Sequence, residues 1–297
     1  MAEICPTGRV EKILLSTDGS EYSDGATREA MKLAKKCSSR LSVLSVIETN
    51  PELETIAPQV SEKAGKKARE HLDAVQARAK KEGVDCECLL REGEDSYKCV
   101  VEEAAKNKST MIVLGRRGRT GLKRLMMGSV TARVIGHAPC TVLVVPRAAE
   151  FACRHLLVAT DGSKYGDAAS AEALGMAKQL GSRLTVLSVV HSESTSPMDI
   201  VSSQMQRDLV AEKEMKEAEQ SVNKVKEAAV QAGIKTDGLI LGGKPSEAIL
   251  QTAKDKQADL IVLGSHGKTG VEKLLMGGVA ERVLVLSSCP VLVVKGN

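Results

Sequence analysis

The chain has 297 residues, 42% hydrophobic and only 1% aromatic, which suits two domains with cores built from Val, Leu, Ile, Ala and Met. A net charge of +4 is too small a basic excess for a dedicated nucleic-acid binder. No apolar run reaches the roughly 18 residues a membrane-spanning helix needs.

Met1–Val10 lacks the apolar stretch of a secretory leader. The eight cysteines are scattered with no CxxC pair. Free thiols and a cytoplasmic location are therefore expected. Cys86 and Cys88 would share one face of a strand, and with no histidine nearby they read as half-buried thiols rather than a metal site.

In chain order, Lys12–Ser16, Leu41–Ile47, Asp85–Arg91, Thr110–Leu114 and Thr141–Val145 are short Val/Ile/Leu runs bounded by Gly, Asp and Ser, and they predict strands. Ser23–Lys36 and Ser61–Glu82 carry apolar residues at helical spacing, with Lys and Glu opposite. A further helix opens near Val130. The series then repeats. Asp18 and Val46 match Asp161 and Val189 at an offset of 143, while Gly115 and Gly128 match Gly264 and Gly277 at 149. The six extra residues lie mostly in HSESTSPMDIVSSQMQRD, before a long charged helix expected over Arg207–Ala232. The join falls near Pro146–Cys153, giving domains 1–148 and 152–297.

Near-continuously apolar strands alternating with helices predict an α/β fold, two tandem doubly wound parallel sheets of Rossmann-like type. Such sheets bind ligands beyond the C-terminal ends of their strands. Thr17, Asp18, Gly19 and Ser20 follow the first strand. Gly115–Arg116–Arg117–Gly118 follows the fourth, and nine residues later Gly128–Ser129 opens a helix. Gly115 and Gly118 would let the backbone approach a ligand. Helix-end amides at Gly128, Ser129 and Val130 suit phosphate, with Arg116, Arg117 and Arg119 adding charge. Asp18 would repel phosphate and fits ribose hydroxyls or the adenine amino group better, with Val46 offering an apolar surface to the base. Met126, Met127 and Met276 read as apolar filling under the loops. Taken alone, Asp-Gly-Ser is equally a helix cap, and single glycines are ordinary turn chemistry.

Both halves resemble the universal stress protein family, in the branch marked by G-x2-G-x9-G-(S/T), here Gly115, Gly118, Gly128 and Ser129. The resemblance covers nearly the whole chain, including the strand–DGS start, VLSVIE, IVLGRRGRTG and the closing PCTVLVV. It implies five-stranded parallel sheets in order 3-2-1-4-5. It also implies ATP, with or without Mg2+, on Thr17, Asp18, Val46, Gly115, Arg116, Gly118, Gly128, Ser129 and Val130. Pairing through last strands, Thr141–Pro146 with Pro290–Lys295, would join the halves as an internal pseudo-dimer; a homodimer is a further expectation.

The second copy offers Thr160, Asp161, Val189, Gly264, His266, Gly267, Gly277, Gly278 and Val279, but Gly278 replaces Ser129. Loss of a hydrogen bond to a charged group costs about 1.5–3 kcal/mol, so this site should be weaker; His266, in the place of Arg117, is a candidate phosphate donor. The chain lacks a G-x4-G-K-[ST] loop and a recognisable Ser-His-acid arrangement. A regulatory binding protein with at most slow ATP cleavage is therefore expected. The alternative is an enzyme of the adenine-nucleotide hydrolase-like class that activates a substrate with ATP. Nucleic-acid binding through Arg116, Arg117, Arg119, Lys123 and Arg124 is the weaker reading, because Leu122–Lys123 becomes Val271–Glu272 in the second copy.

Overall fold

The computed structural model describes residues 9–50, 56, 58–118, 126–190, 204–268 and 275–296. Arg119, Lys123, Arg124, Glu272 and most of the insertion after Val190 lie outside them.

In the first half, β1 (Lys12–Ser16), β2 (Arg40–Glu48), β3 (Cys86–Gly93), β4 (Met111–Gly115) and β5 (Thr141–Val145) alternate with α1 (Asp24–Cys37), α2 (Pro58–Glu82), α3 (Ser96–Lys106) and α4 (Ser129–His137). The second half repeats this with β6 (His155–Ala159), β7 (Arg183–Val190), β8 (Thr236–Gly242), β9 (Leu260–Gly264) and β10 (Val291–Val294). Its helices are α5 (Lys164–Leu180), α6 (Gln204–Gln231), α7 (Pro245–Asp255) and α8 (Gly278–Leu286). The expected strands fall within one or two residues of those observed. The two long helices begin earlier than apolar spacing indicated, because their opening residues, PQVS and QMQR, each hold a single large apolar side chain and carry little periodic signal.

The strands form one sheet in the order β3-β2-β1-β4-β5-β10-β9-β6-β7-β8. Each half is parallel in order 3-2-1-4-5. The halves meet where β5 and β10 run antiparallel, with Val144 opposite Val291, Leu143 opposite Leu292 and Val142 opposite Val293. The expected internal pseudo-dimer is thus built by edge strands that would otherwise expose unpaired amides.

The apolar runs are explained by burial on both faces. In β1, Ile13 and Leu15 pack under α1 and α2, while Leu14 packs under α3 and α4. The first core continues across the junction to α5 and α6, and the second to α7 and α8. Leu14 and Leu15 are completely buried, so truncating either to Ala would cost about 2–5 kcal/mol. The connecting segment is fixed rather than slack. Phe151, the single phenylalanine, is buried in the shared core, and its amide donates to the Glu29 carboxylate at 3.0 Å.

Cys86 and Cys88 are free, and burial pushes the Cys88 thiol up to about 12. Among the described residues no cluster of His, Cys, Asp and Glu could hold a metal. No helix among them is long and apolar enough to cross a membrane.

Candidate functional site

The site is assembled where β1 and β4 end. Past β1 the chain turns at Gly19, whose φ of 71° lies in the left-handed region, as does that of Gly162 at 76°; glycine adopts this conformation without steric cost. The turn lets Asp18 Oδ1 accept from the Ser20 amide at 3.0 Å and the Ser20 hydroxyl at 2.7 Å. Its other oxygen faces the loop after β4, where a Cβ on Gly118 would stand 2.9 Å from Oδ2. In the second copy, Asp161 Oδ2 accepts the Lys268 amide at 2.7 Å. In both copies the aspartate thus clasps one loop against the other.

This changes the role assigned to the glycines. A Cβ on Gly115 would stand 2.7 Å from the Tyr22 carbonyl oxygen, and one on Gly264 would stand 2.8 Å from that of Tyr165. A Cβ on Gly267 would likewise stand 2.7 Å from Asp161 Oδ2. Their missing side chains admit protein against protein. The Ser of DGS also shows its capping role in the second copy, where Ser163 accepts from the Gly166 amide at 3.1 Å at the start of α5.

The anion-facing part is the start of α4. Arg116 O accepts the Gly128 amide at 3.0 Å, and Gly128 O accepts the first helical bond, from Ala132, at 3.0 Å. The amides of Ser129, Val130 and Thr131 therefore precede the helical ladder, and no side chain among the described residues caps that end. The Thr131 hydroxyl instead donates back to Gly115 O at 3.0 Å, tying helix to loop. Three amides, the Ser129 hydroxyl and the positive end of the helix dipole converge here, a donor set suited to phosphate oxygens.

Two expected phosphate donors are directed elsewhere. The Arg116 guanidinium crosses into the other half, where Nη1 donates to the carbonyls of Ser287 at 2.8 Å and Val285 at 3.0 Å. Four unpaired carbonyls at a helix C-terminus outcompete an open loop for a planar cation. The His266 ring lies against Tyr165, with centroids 5.1 Å apart, and its Nδ1 is 3.1 Å from the Ser265 hydroxyl. Met127 and Met276 do pack beneath the loops, but Met126 is 54% exposed and is not filling.

Val46 and Val189 are half-buried on the sheet face that also holds Val130 and Met127. Thr17 is buried on the opposite face. Its hydroxyl meets Ser23 Oγ at 3.0 Å and the Nε2 of His71, from α2, at 2.9 Å. Sequence reasoning missed His71, because nothing in a solvated 25-residue helix marks which polar residue faces inward. Ser221 of α6 lies over Gly162 where His71 lies over Gly19, and Thr160 accepts the Gly162 amide at 3.2 Å.

The start of α8 repeats that of α4. Ser265 O accepts the Gly277 amide at 2.8 Å, and Gly277 O accepts that of Glu281 at 3.0 Å, leaving Gly278, Val279 and Ala280 ahead of the ladder. A Cβ on Gly278 would meet nothing within 4 Å. Glu281 places an acid in this first turn, another feature missed in the sequence. Lys268 of the loop is bound to Glu217 of α6 at 2.5 Å.

The comparisons agree with this architecture. The family model described as the universal stress protein family matches twice, over residues 9–146 and 153–295. Universal stress protein MJ0531 of Methanocaldococcus jannaschii is 37% identical over 142 residues, covering 48% of this chain and 82% of that protein. Universal stress protein YxiE of Bacillus subtilis is 32% identical over 145 residues, covering 47% and 97% respectively. Over the full length, the crystal structure of a universal stress protein from Archaeoglobus fulgidus superposes with a TM-score of 0.72 at 23% identity, covering 97% of both chains, and shows the shared fold. With both halves matched, the chain belongs to the universal stress protein family, as a tandem pair of its domains.

Proposed function

We propose that this protein is an ATP-binding regulator of the stress response, with its stronger nucleotide site in the first half. The reading is carried by the uncapped first turn of α4, where the amides of Ser129, Val130 and Thr131 stand beside the Ser129 hydroxyl. There the chain supplies oriented N–H donors for a polyphosphate without needing a lysine. Asp18 keeps acceptor capacity beyond its bonds to Ser20, since an ionised carboxylate has about four lone-pair positions; a ribose hydroxyl would take one. Val46 would lie beside the base. Mg2+ would arrive with the phosphates. The role assigned to ATP is occupancy, with cleavage slow at most.

The second site would hold nucleotide more weakly, because Gly278 has no hydroxyl and Glu281 repels phosphate at the helix end. The test is calorimetric titration of ATP into the full chain, with mass spectrometry of any nucleotide released when the purified protein is denatured. One strong site and one weak site are expected. Two equal sites would overturn the ranking, and no adenine nucleotide bound or released would overturn the function.

A further inference from the structure

Arg116 belongs to the loop of one site and the helix of the other. Its amide donates to Val145 O at 3.3 Å and its carbonyl accepts the Gly128 amide at 3.0 Å, so its main chain is part of the first glycine loop. Its side chain closes the C-terminus of α8 through Val285 and Ser287. The N-terminus of α8 is the anion-facing end of the second site.

The reciprocal connection runs through a different residue. Lys295 Nζ donates to Gly136 O at 2.7 Å, in the last turn of α4, the helix whose N-terminus faces the first site. Lys295 follows Val294, whose carbonyl holds the Ser265 amide at 2.8 Å, and Ser265 O in turn holds Gly277. Leu275, just before that glycine, lies so close over Gly136 that a Cβ there would not fit. By the offset of 149, the counterpart of Arg116 is Ser265 and that of Lys295 is Pro146. The two cations are thus not copies of one duplicated residue, yet Arg116 from the first glycine loop and Lys295 from the end of β10 each reach the far end of the other half's helix.

A cation at a partly buried helix C-terminus stabilises that helix. A phosphate at the opposite end favours the same helix. Each helix is about 14 Å long at 1.5 Å per residue, short enough to move as a rigid rod between its two ends.

We propose that Arg116 and Lys295 are positioning residues that couple the two nucleotide sites with positive sign. A nucleotide in the first site fixes the Arg116 loop, holds the guanidinium on α8 and presets the second site; Lys295 and α4 carry the reverse effect. This rests on the reading of the glycine loops as nucleotide sites.

The experiment isolates one direction. Gly278→Asp, at a position open to a side chain, puts a carboxylate in the second site and leaves only the first for ATP. Hydrogen exchange over residues 278–287 is then followed while calorimetry records uptake. Saturating ATP should slow exchange there by about fivefold, and Arg116→Met in the same background should abolish the response while Arg116→Lys retains part of it. ATP uptake with exchange in α8 unchanged, or a response that survives Arg116→Met, overturns the coupling alone. A chain that takes up no ATP overturns the nucleotide reading and the coupling with it. Should Arg116→Met fail to fold, Lys295→Met in a Ser129→Asp background, which leaves only the second site for ATP, tests the reverse direction by the same outcomes with exchange read over residues 129–137.

Discussion

The two halves share a backbone and differ in chemistry. In both, a left-handed glycine turns the chain after the first strand, an aspartate clasps the fourth loop, and a glycine lies against a tyrosine carbonyl. Around that common frame, the first half has Ser129 and His71 where the second has Gly278 and Ser221, and α8, unlike α4, carries an acid in its first turn. The second loop is also tied down by Lys268 and Glu217. Main-chain packing sets where a site stands, and a few side chains at the helix end set how well it grips an anion.

If so, damage to the frame should be equal in both halves and large. Gly115→Val and Gly264→Val would each drive a side chain into a tyrosine carbonyl 2.7–2.8 Å from the new Cβ. Each should lower stability by about 3 kcal/mol, read as a fall in the urea midpoint at constant slope. A variant that keeps wild-type stability would show that the close approach is not required.

Exchanging the helix-end residues tests chemistry on an intact frame. Ser129→Gly should weaken the first ATP site about tenfold, and Gly278→Ser should strengthen the second by a similar factor, the worth of one hydrogen bond to a charged group. Both changes should leave thermal stability nearly as it was. Calorimetric constants that do not move, or that move only together with stability, would place the difference between the halves elsewhere.

The frame was legible in the sequence because it is made of repeated, local signals. The strands announce themselves as runs buried on both faces, as in KILLS and LIVLG, and the glycine spacing recurs at fixed offsets. The strand order and the pairing of Thr141–Val145 with the last strand came from the family resemblance, and the structure has both. What stayed hidden was direction. Arg116 sits among arginines beside a phosphate-type loop, and its local context gives no sign that helix carbonyls 168 to 171 residues away claim its guanidinium. His71 lies on a helix whose exposed and inward polar residues look alike in sequence. The steric reason for Gly115, Gly118, Gly264 and Gly267 depends on Tyr22, Tyr165 and the aspartates, which only the folded chain brings against them.

A second pair of counterparts separates the halves by pH. Glu29 is buried in α1 but bonded to Arg28 at 2.7 Å, Lys32 at 3.2 Å and the Phe151 amide. Its counterpart Glu172 in α5 forms no ion pair among the described residues, and burial pushes its carboxyl from 4.5 up to about 7. A group that holds its proton more tightly folded than unfolded stabilises fully below the unfolded value. It loses that contribution as pH rises from about 4.5 to about 7. Glu172→Gln should therefore flatten the decline in urea midpoint between pH 5 and pH 8, by on the order of 1 kcal/mol. Glu29→Gln should instead weaken the fold at both pH values, by leaving Arg28 and Lys32 short of a charge. Parallel pH profiles for the wild type and Glu172→Gln would refute the assignment.

The smallest expected effect bears most directly on why the second site is weaker. Glu281 faces solvent in the first turn of α8, where an acid stabilises the helix by roughly 0.3–1 kcal/mol and opposes an incoming phosphate. Glu281→Ala should thus act with opposite signs on two observables, lowering stability by a few tenths of a kcal/mol while raising ATP affinity at the second site about two- to threefold. Both effects should shrink as salt is raised, because the carboxylate is exposed and screened within about 10 Å at 0.1 M. The Gly278→Ser gain should persist in the same salt series, since a short hydrogen bond is screened far less than an exposed charge. If the two gains instead fade together, electrostatics alone separates the halves, and the Ser129 hydroxyl loses the place given to it.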